Sequence, residues 1–363
     1  MRKIFFIFLS VVFLSYSVYA IDVQKELMDT CGVDSLEAGL SWEEQRILGD
    51  ISPDKQTDFW QALMQMLENA FRSIGKVPRE TTVLLCKVIL VILLCQMVDA
   101  IGNETILSVS RISGCFAVTS LCITNLSAMI GLGGETIERM TQYAKLLLPV
   151  MASAAVASGA ATGSGILYTV TVAASNIFLS FSNQVLLPSI YAYIGLSLAD
   201  CVLQQERLKR LRELMKWLME LGLKGIGYGF AAIVSLTGVL SGNVDALAMK
   251  GVKTAISTVV PVVGGIISGA ADAVINGAAL LKNTIGAYGM LAILAIMLLP
   301  FLQLGISWIL FRLLSALCGM MDSKLSGLIE SVSGMMGLLL GMIGCCAWIM
   351  LLSCCCYLKV VSV

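Results

Sequence analysis

Histidine is absent from the 363 residues. That removes Ser-His-Asp triads, Cys-His nucleophiles, imidazole metal ligands and histidine proton relays together. Charge is scarce as well: 13% of residues are charged and the formal net charge is zero. Soluble globular domains carry about 25% charged residues. The whole-chain balance gives no electrostatic footprint for nucleic acid. No Gly-x-x-x-x-Gly-Lys-Ser/Thr loop occurs, so the chain carries no nucleotide-driven energy source of its own. No Cys-x-x-Cys pair occurs among the twelve cysteines, which excludes the usual zinc and redox spacings. The expectation is therefore a protein without a catalytic site, cofactor or metal. The cysteines, with Cys354–Cys356 at their densest, read as small apolar residues in lipid or between helices. Cys31 alone falls in the expected exported segment, with no evident partner there.

What is present is hydrophobicity. Apolar residues make up 58% of the chain, more than a soluble surface accommodates, and lipid is the simple place for the excess. Arg2 and Lys3 precede an apolar run from Ile4 to Leu14, then polar residues and Val18-Tyr19-Ala20. This is the order of a signal peptide over 1–20, with cleavage expected after Ala20.

Residues 21–80 hold twelve acids and six bases. Acidic segments do not resist export, so an extracytoplasmic helical region is expected here. Ser41-Trp42-Glu43-Glu44 reads as a helix start with Ser41 as N-cap. A second helix is expected to begin near Asp54, with Phe59, Leu63, Met66, Leu67 and Ala70 on one stripe. About 60 residues is marginal for an independent core, so the region needs a partner or the bilayer to lean on.

From Thr81 the chain is a series of apolar runs. Spans are expected near 82–98, 112–130, 146–163, 166–182, 186–203, 225–241, 287–311 and 332–357, each about as long as a bilayer core requires. The expected fold is all-α: a polytopic helical membrane protein with about 7–9 spans over 81–363. The basic stretch 204–224 carries Arg207, Lys209, Arg210, Arg212, Lys216 and Lys224, which the positive-inside rule places in the cytoplasm. Five spans separate it from residues 21–80, so the two signals agree on parity. Leu208, Leu211, Leu214, Met215 and Leu218 among its charges predict an amphipathic helix along the inner membrane surface.

The segment 250–282 is glycine-rich. It contains Pro261, Gly264 and Gly265, and then Gly269, Asp272, Ala273 and Gly277. The four-residue spacing Gly265, Gly269, Ala273, Gly277 fits close helix packing, and Gly225/Gly229 and Gly337/Gly341 repeat it. A re-entrant or pore-facing segment is the alternative.

These features together resemble the stage III sporulation protein AE family. The resemblance rests on the basic stretch running into Gly225-Ile226-Gly227-Tyr228-Gly229, on Lys250–Ile256, and on Val260–Ser268 followed by Ala270-Ala271-Asp272. It implies a polytopic subunit of the mother-cell membrane around the forespore, within a multi-protein channel resembling a secretion apparatus, with the ATPase supplied by another component. It implies no catalytic residues. The other reading of the same features is a self-contained small-molecule permease.

Overall fold

The computed structural model describes residues 32–52, 58–73, 77–101, 103–157, 161–203, 205–259, 264–320 and 325–359, and within 234–282 it gives only the course of the helices. The signal-peptide stretch and Cys31 lie outside these residues. Every regular element among them is helical. In chain order these are α1 (Asp34–Ala38), α2 (Trp42–Leu48), α3 (Phe59–Ser73), α4 (Val77–Ile101), α5 (Glu104–Ala157) and α6 (Ala161–Phe181). A π-helical turn (Ser182–Leu186) joins α6 to α7 (Leu187–Leu203), and α8 (Glu206–Val259), α9 (Gly264–Met320) and α10 (Ser326–Lys359) follow. Among the described residues, five stretches are long and apolar enough to cross a bilayer: Thr81–Val98, Thr105–Ala157, Tyr168–Leu203, Asn283–Met320 and Ser326–Leu358.

The helices are longer than the sequence predicts. The runs 112–130 and 146–163 were expected as two spans, yet 104–157 is one helix of 54 residues, about 80 Å at 1.5 Å per residue. Pro149 sits inside it and forfeits one backbone hydrogen bond. The runs 166–182 and 186–203 likewise form one rod. Its π turn stands immediately before Pro188, where a proline ring would clash with the carbonyl four residues back. The basic stretch is not a separate helix. It forms the first turns of α8, because nothing between Glu206 and Leu221 is a helix breaker.

Side-chain contacts fix the direction of each rod. A Cβ on Gly286 would meet Leu358, while Arg312 pairs with Glu330, so α9 and α10 run antiparallel. Gly114 faces Leu325 and Gly133 faces Leu339, so α5 runs parallel to α10. Thr171 Oγ1 donates to Ser353 Oγ at 3.0 Å and Ser175 Oγ lies 3.8 Å from Met350 Sδ, which together set α6 antiparallel to α10. Gly227 faces Cys345 and Gly341 faces Leu223, which sets α8 parallel to α10.

Two ends emerge from this. At one, α1 and α2 pack against α5 and α9, close to Gly286 and Leu358. At the other lie Cys115, Asp200, Arg212 and Glu330. Arg139 and Cys115 are 24 residues apart on α5, about 36 Å, more than the ~30 Å hydrocarbon core. The described part of the N-terminal region and the basic stretch therefore stand at opposite ends of the bundle. Three rods (α4, α5 and α6–α7) separate them where the sequence predicts five spans, and both numbers are odd. The last helix returns to the end that carries α1 and α2.

The core is aliphatic and aromatic, with Tyr143, Phe178, Phe311 and Tyr357 among its largest fully buried side chains. Some buried hydroxyls are satisfied within their own helices, while those of Tyr143, Ser182, Ser307 and Ser333 are left without a partner among the described residues. Thr136, Thr141, Ser175, Ser197 and Ser353 each donate to the carbonyl four residues back, the usual solution where no water is available. Glycines admit neighbouring side chains closely: Gly289 receives Leu147, Gly222 receives Phe181 and Gly341 receives Leu223. Gly225 and Gly229, predicted as a packing pair, face open space instead. The cysteines also depart from expectation, since Cys115 and Cys201 form a disulfide between α5 and α7.

Candidate functional site

One carboxylate links the N-terminal region, which also packs on the long helices through its apolar side chains, to α5. Ser41 caps α2 by accepting the Glu44 N–H at 3.4 Å, and Glu44 Oε2 accepts the Ser41 N–H at 2.6 Å. This reciprocal capping box is what Ser41-x-x-Glu44 foreshadows. The same carboxylate also receives Arg139 of α5, from Nη2 at 2.6 Å and Nε at 3.3 Å. Nearby, Gly39 lies against Leu146 and Tyr143. The region thus leans on the chain's own long helices. In α3, Met66 and Ala70 of the expected stripe are buried together with Ala62, while Phe59, Leu63 and Leu67 are half-buried. Asp58 caps the described start by accepting the Trp60 N–H at 3.0 Å, and Asp54 lies outside the described residues.

At the opposite end the basic stretch divides by helical face. Arg207, Lys209 and Arg210 point outward and are exposed, and Lys224 is exposed and pairs with Glu220 at 3.5 Å. Arg212 and Lys216, four residues apart on the inner face, turn into the bundle. Arg212 Nη1 lies 3.1 Å from Asp200 Oδ2 on α7, and the two side chains are only 14% and 15% exposed. The same Nη1 donates to Ser331 Oγ on α10 at 3.1 Å. One guanidinium therefore ties three rods together in a low-dielectric setting, where its charge requires a partner. A Cβ on Gly334 would stand 3.7 Å from Lys216 Nζ and 3.8 Å from Tyr193 Oη. An ammonium and a phenol thus converge over a glycine.

The sequence identifies Arg212 and Lys216 only as members of a basic run. It does not identify Asp200, Tyr193, Ser331 or Gly334. An acid at the end of an apolar run is the one local signal for Asp200. Pro261 lies outside the described residues. Gly264, Gly265, Gly269, Asp272, Ala273 and Gly277 fall on the first turns of α9, where only the helix course is described. Among the described residues no cluster of His, Cys, Asp and Glu is placed to hold a metal.

A family model described as stage III sporulation protein AE matches residues 44–360. The chain belongs to the stage III sporulation protein AE family. A relative of that description, from Bacillus subtilis (strain 168), is 21% identical over 281 residues, covering 77% of this chain and 70% of the relative. No solved structure matches. The stage III sporulation match begins at Glu44, the carboxylate that holds α2 to α5, and takes in all of the rods, including the Asp200–Arg212–Ser331 connection.

Proposed function

We propose that the protein is a non-enzymatic membrane subunit of a sporulation channel, a secretion-like complex that joins the mother cell to the forespore. It sits in the mother-cell membrane around the forespore, and its partners are the bilayer and the other subunits. A separate ATPase drives the complex, and nucleic acid is not a ligand. The observation that carries the reading is the family match over 44–360, on a chain with five helical stretches able to cross a bilayer. Helix length supports it: α5 is about 80 Å long against a hydrocarbon core of about 30 Å. The surplus extends toward the end that carries the exported region, where a neighbouring membrane would lie.

An in-frame deletion tests the proposal, scored through sporulation with a late forespore reporter. The expected outcome is completed engulfment, a silent late reporter and a collapsing forespore. Normal spores would refute the role, and a nutrient-uptake phenotype without a sporulation defect would favour a permease.

A further inference from the structure

The rod formed by α6 and α7 carries no charged residue from Ala161 to Ala199, and its Tyr168–Leu203 stretch is long and apolar enough to cross a bilayer. Its outer face is nevertheless polar. Asn176, Asn183 and Gln184 are all exposed, and none of these three amides has a hydrogen-bond partner among the described residues. Thr169, by contrast, is satisfied within its own helix, donating to the Gly165 carbonyl at 3.0 Å. A carboxamide carries two donors and an acceptor oxygen with two lone pairs, and hydrocarbon answers none of them. An unpaired amide in that setting is unfavourable. This face therefore requires a polar partner that the described residues of one chain do not provide.

The spacing of the face indicates which partner. The exposed residues Thr169, Ala173, Asn176, Ser180 and Asn183 recur at intervals of four, three, four and three. That is the seam of a helix packing along a second helix at a shallow angle. Ala173 and Ser180 are small enough for two backbones to approach until amides on the two sides meet. Asn176 and Asn183 stand one heptad apart, about 10 Å along the axis, and so hold equivalent positions on the seam. Two copies inserted in one membrane have the same orientation, so their α6 helices are parallel. A two-fold axis along the membrane normal then brings identical faces together. In that register each seam asparagine faces its own counterpart, and an amide is complementary to itself, since one can donate while the other accepts. Ile177, beside the seam, is exposed as well and adds apolar contact. Asn183 and Gln184 also lie in the π turn, a feature frequent at functional sites.

We propose that this seam of α6 is the contact between two copies of the chain, with Asn176 and Asn183 each hydrogen-bonded to its counterpart. The inference rests on the α6–α7 rod lying in the bilayer. It is independent of the channel reading and holds whichever complex the protein serves.

Oxidative cross-linking of the full chain in liposomes tests this. Ala173→Cys and Ser180→Cys should each form dimers well above the wild-type background, because identical seam positions meet across the axis. Ile123→Cys, exposed on α5, should stay at that background. In parallel, self-association is followed by counting photobleaching steps as the protein is diluted into lipid. It should weaken about fivefold in Asn176→Leu and about twenty-five-fold in Asn176→Leu/Asn183→Leu, the effect of losing one and two interhelical amide pairs. The cysteine variants keep both amides, so they test the contact even where leucine disturbs folding. Absence of dimers from both cysteine variants, or undiminished association of the double leucine variant, overturns the proposal. Cross-linking of Ser180→Cys in native membranes to a protein of different mass, without dimers, assigns the seam to another subunit and overturns the second copy as its occupant.

Discussion

Glu44 performs two separable tasks, and substitutions can divide them. Its carboxylate closes the capping box of α2 and pairs with Arg139 of α5. Glu44→Gln keeps an acceptor for the Ser41 N–H, since glutamine also serves at the third position of a capping box, but it removes the ion pair. Arg139 is 39% exposed and remains hydrated, so the pair is worth about 1 kcal/mol, as for a surface bridge, rather than a buried-pair value. Glu44→Ala also loses the reciprocal cap, a further ~1 kcal/mol. Each 1.4 kcal/mol is tenfold in an equilibrium. Local opening of α2 should therefore rise about fivefold in Glu44→Gln and about thirtyfold in Glu44→Ala, measured as faster amide hydrogen exchange over residues 41–49 of the full chain in bicelles. Arg139→Ala should match Glu44→Gln. If Arg139→Ala leaves this exchange unchanged while Glu44→Gln accelerates it, the carboxylate acts only within its own helix, and the anchoring argument fails.

Three further outcomes are expected. Arg212→Met should lower stability by about 3 kcal/mol by stranding Asp200 half-desolvated, while Arg212→Met with Asp200→Leu should recover most of the loss; an additive pair in detergent melts would refute the coupling. Gly289→Ala should destabilise by about 1–3 kcal/mol, because the new Cβ would meet Leu147 at 2.6 Å, and trimming that neighbour in Gly289→Ala/Leu147→Ala should relieve the clash; a thermal midpoint that Gly289→Ala does not move would contradict the contact. Finally, in vegetative cells made to express the protein in their outer cell membrane, an impermeant thiol reagent should label Ser41→Cys and spare Gln205→Cys, and the reverse pattern would invert the orientation.

Much of the architecture is legible in local sequence. Ser41 followed by Glu44 announces its capping box, and Met66 and Ala70 of the expected α3 stripe are buried, with Phe59, Leu63 and Leu67 half-buried beside them. What composition does not reveal is continuity. Gly131-Leu132-Gly133-Gly134-Glu135 reads as a loop, since glycines weaken a helix by about 1 kcal/mol each. The helix persists because distant side chains use those glycines: Leu339 packs at Gly133 and Leu187 at Gly134. Arg139 just beyond finds its partner 95 residues away, which no local window contains. The inward cluster was hidden for a related reason. Arg212 and Arg210 look alike in sequence, and only the packing of α7 and α10 makes one a connector and leaves the other in solvent.

The unbroken course of α5 has a mechanical consequence. An α-helix of this length resists compression along its axis, so a displacement at the basic end arrives at the far end as a piston stroke or a tilt. The companion rod α6–α7 differs, because its π turn before Pro188 provides a point of compliance where α5 has only a single missing hydrogen bond at Pro149. Coupled motion of the two rods would therefore bend one against the other at that level, and the turn at Ser182–Leu186 would act as the pivot.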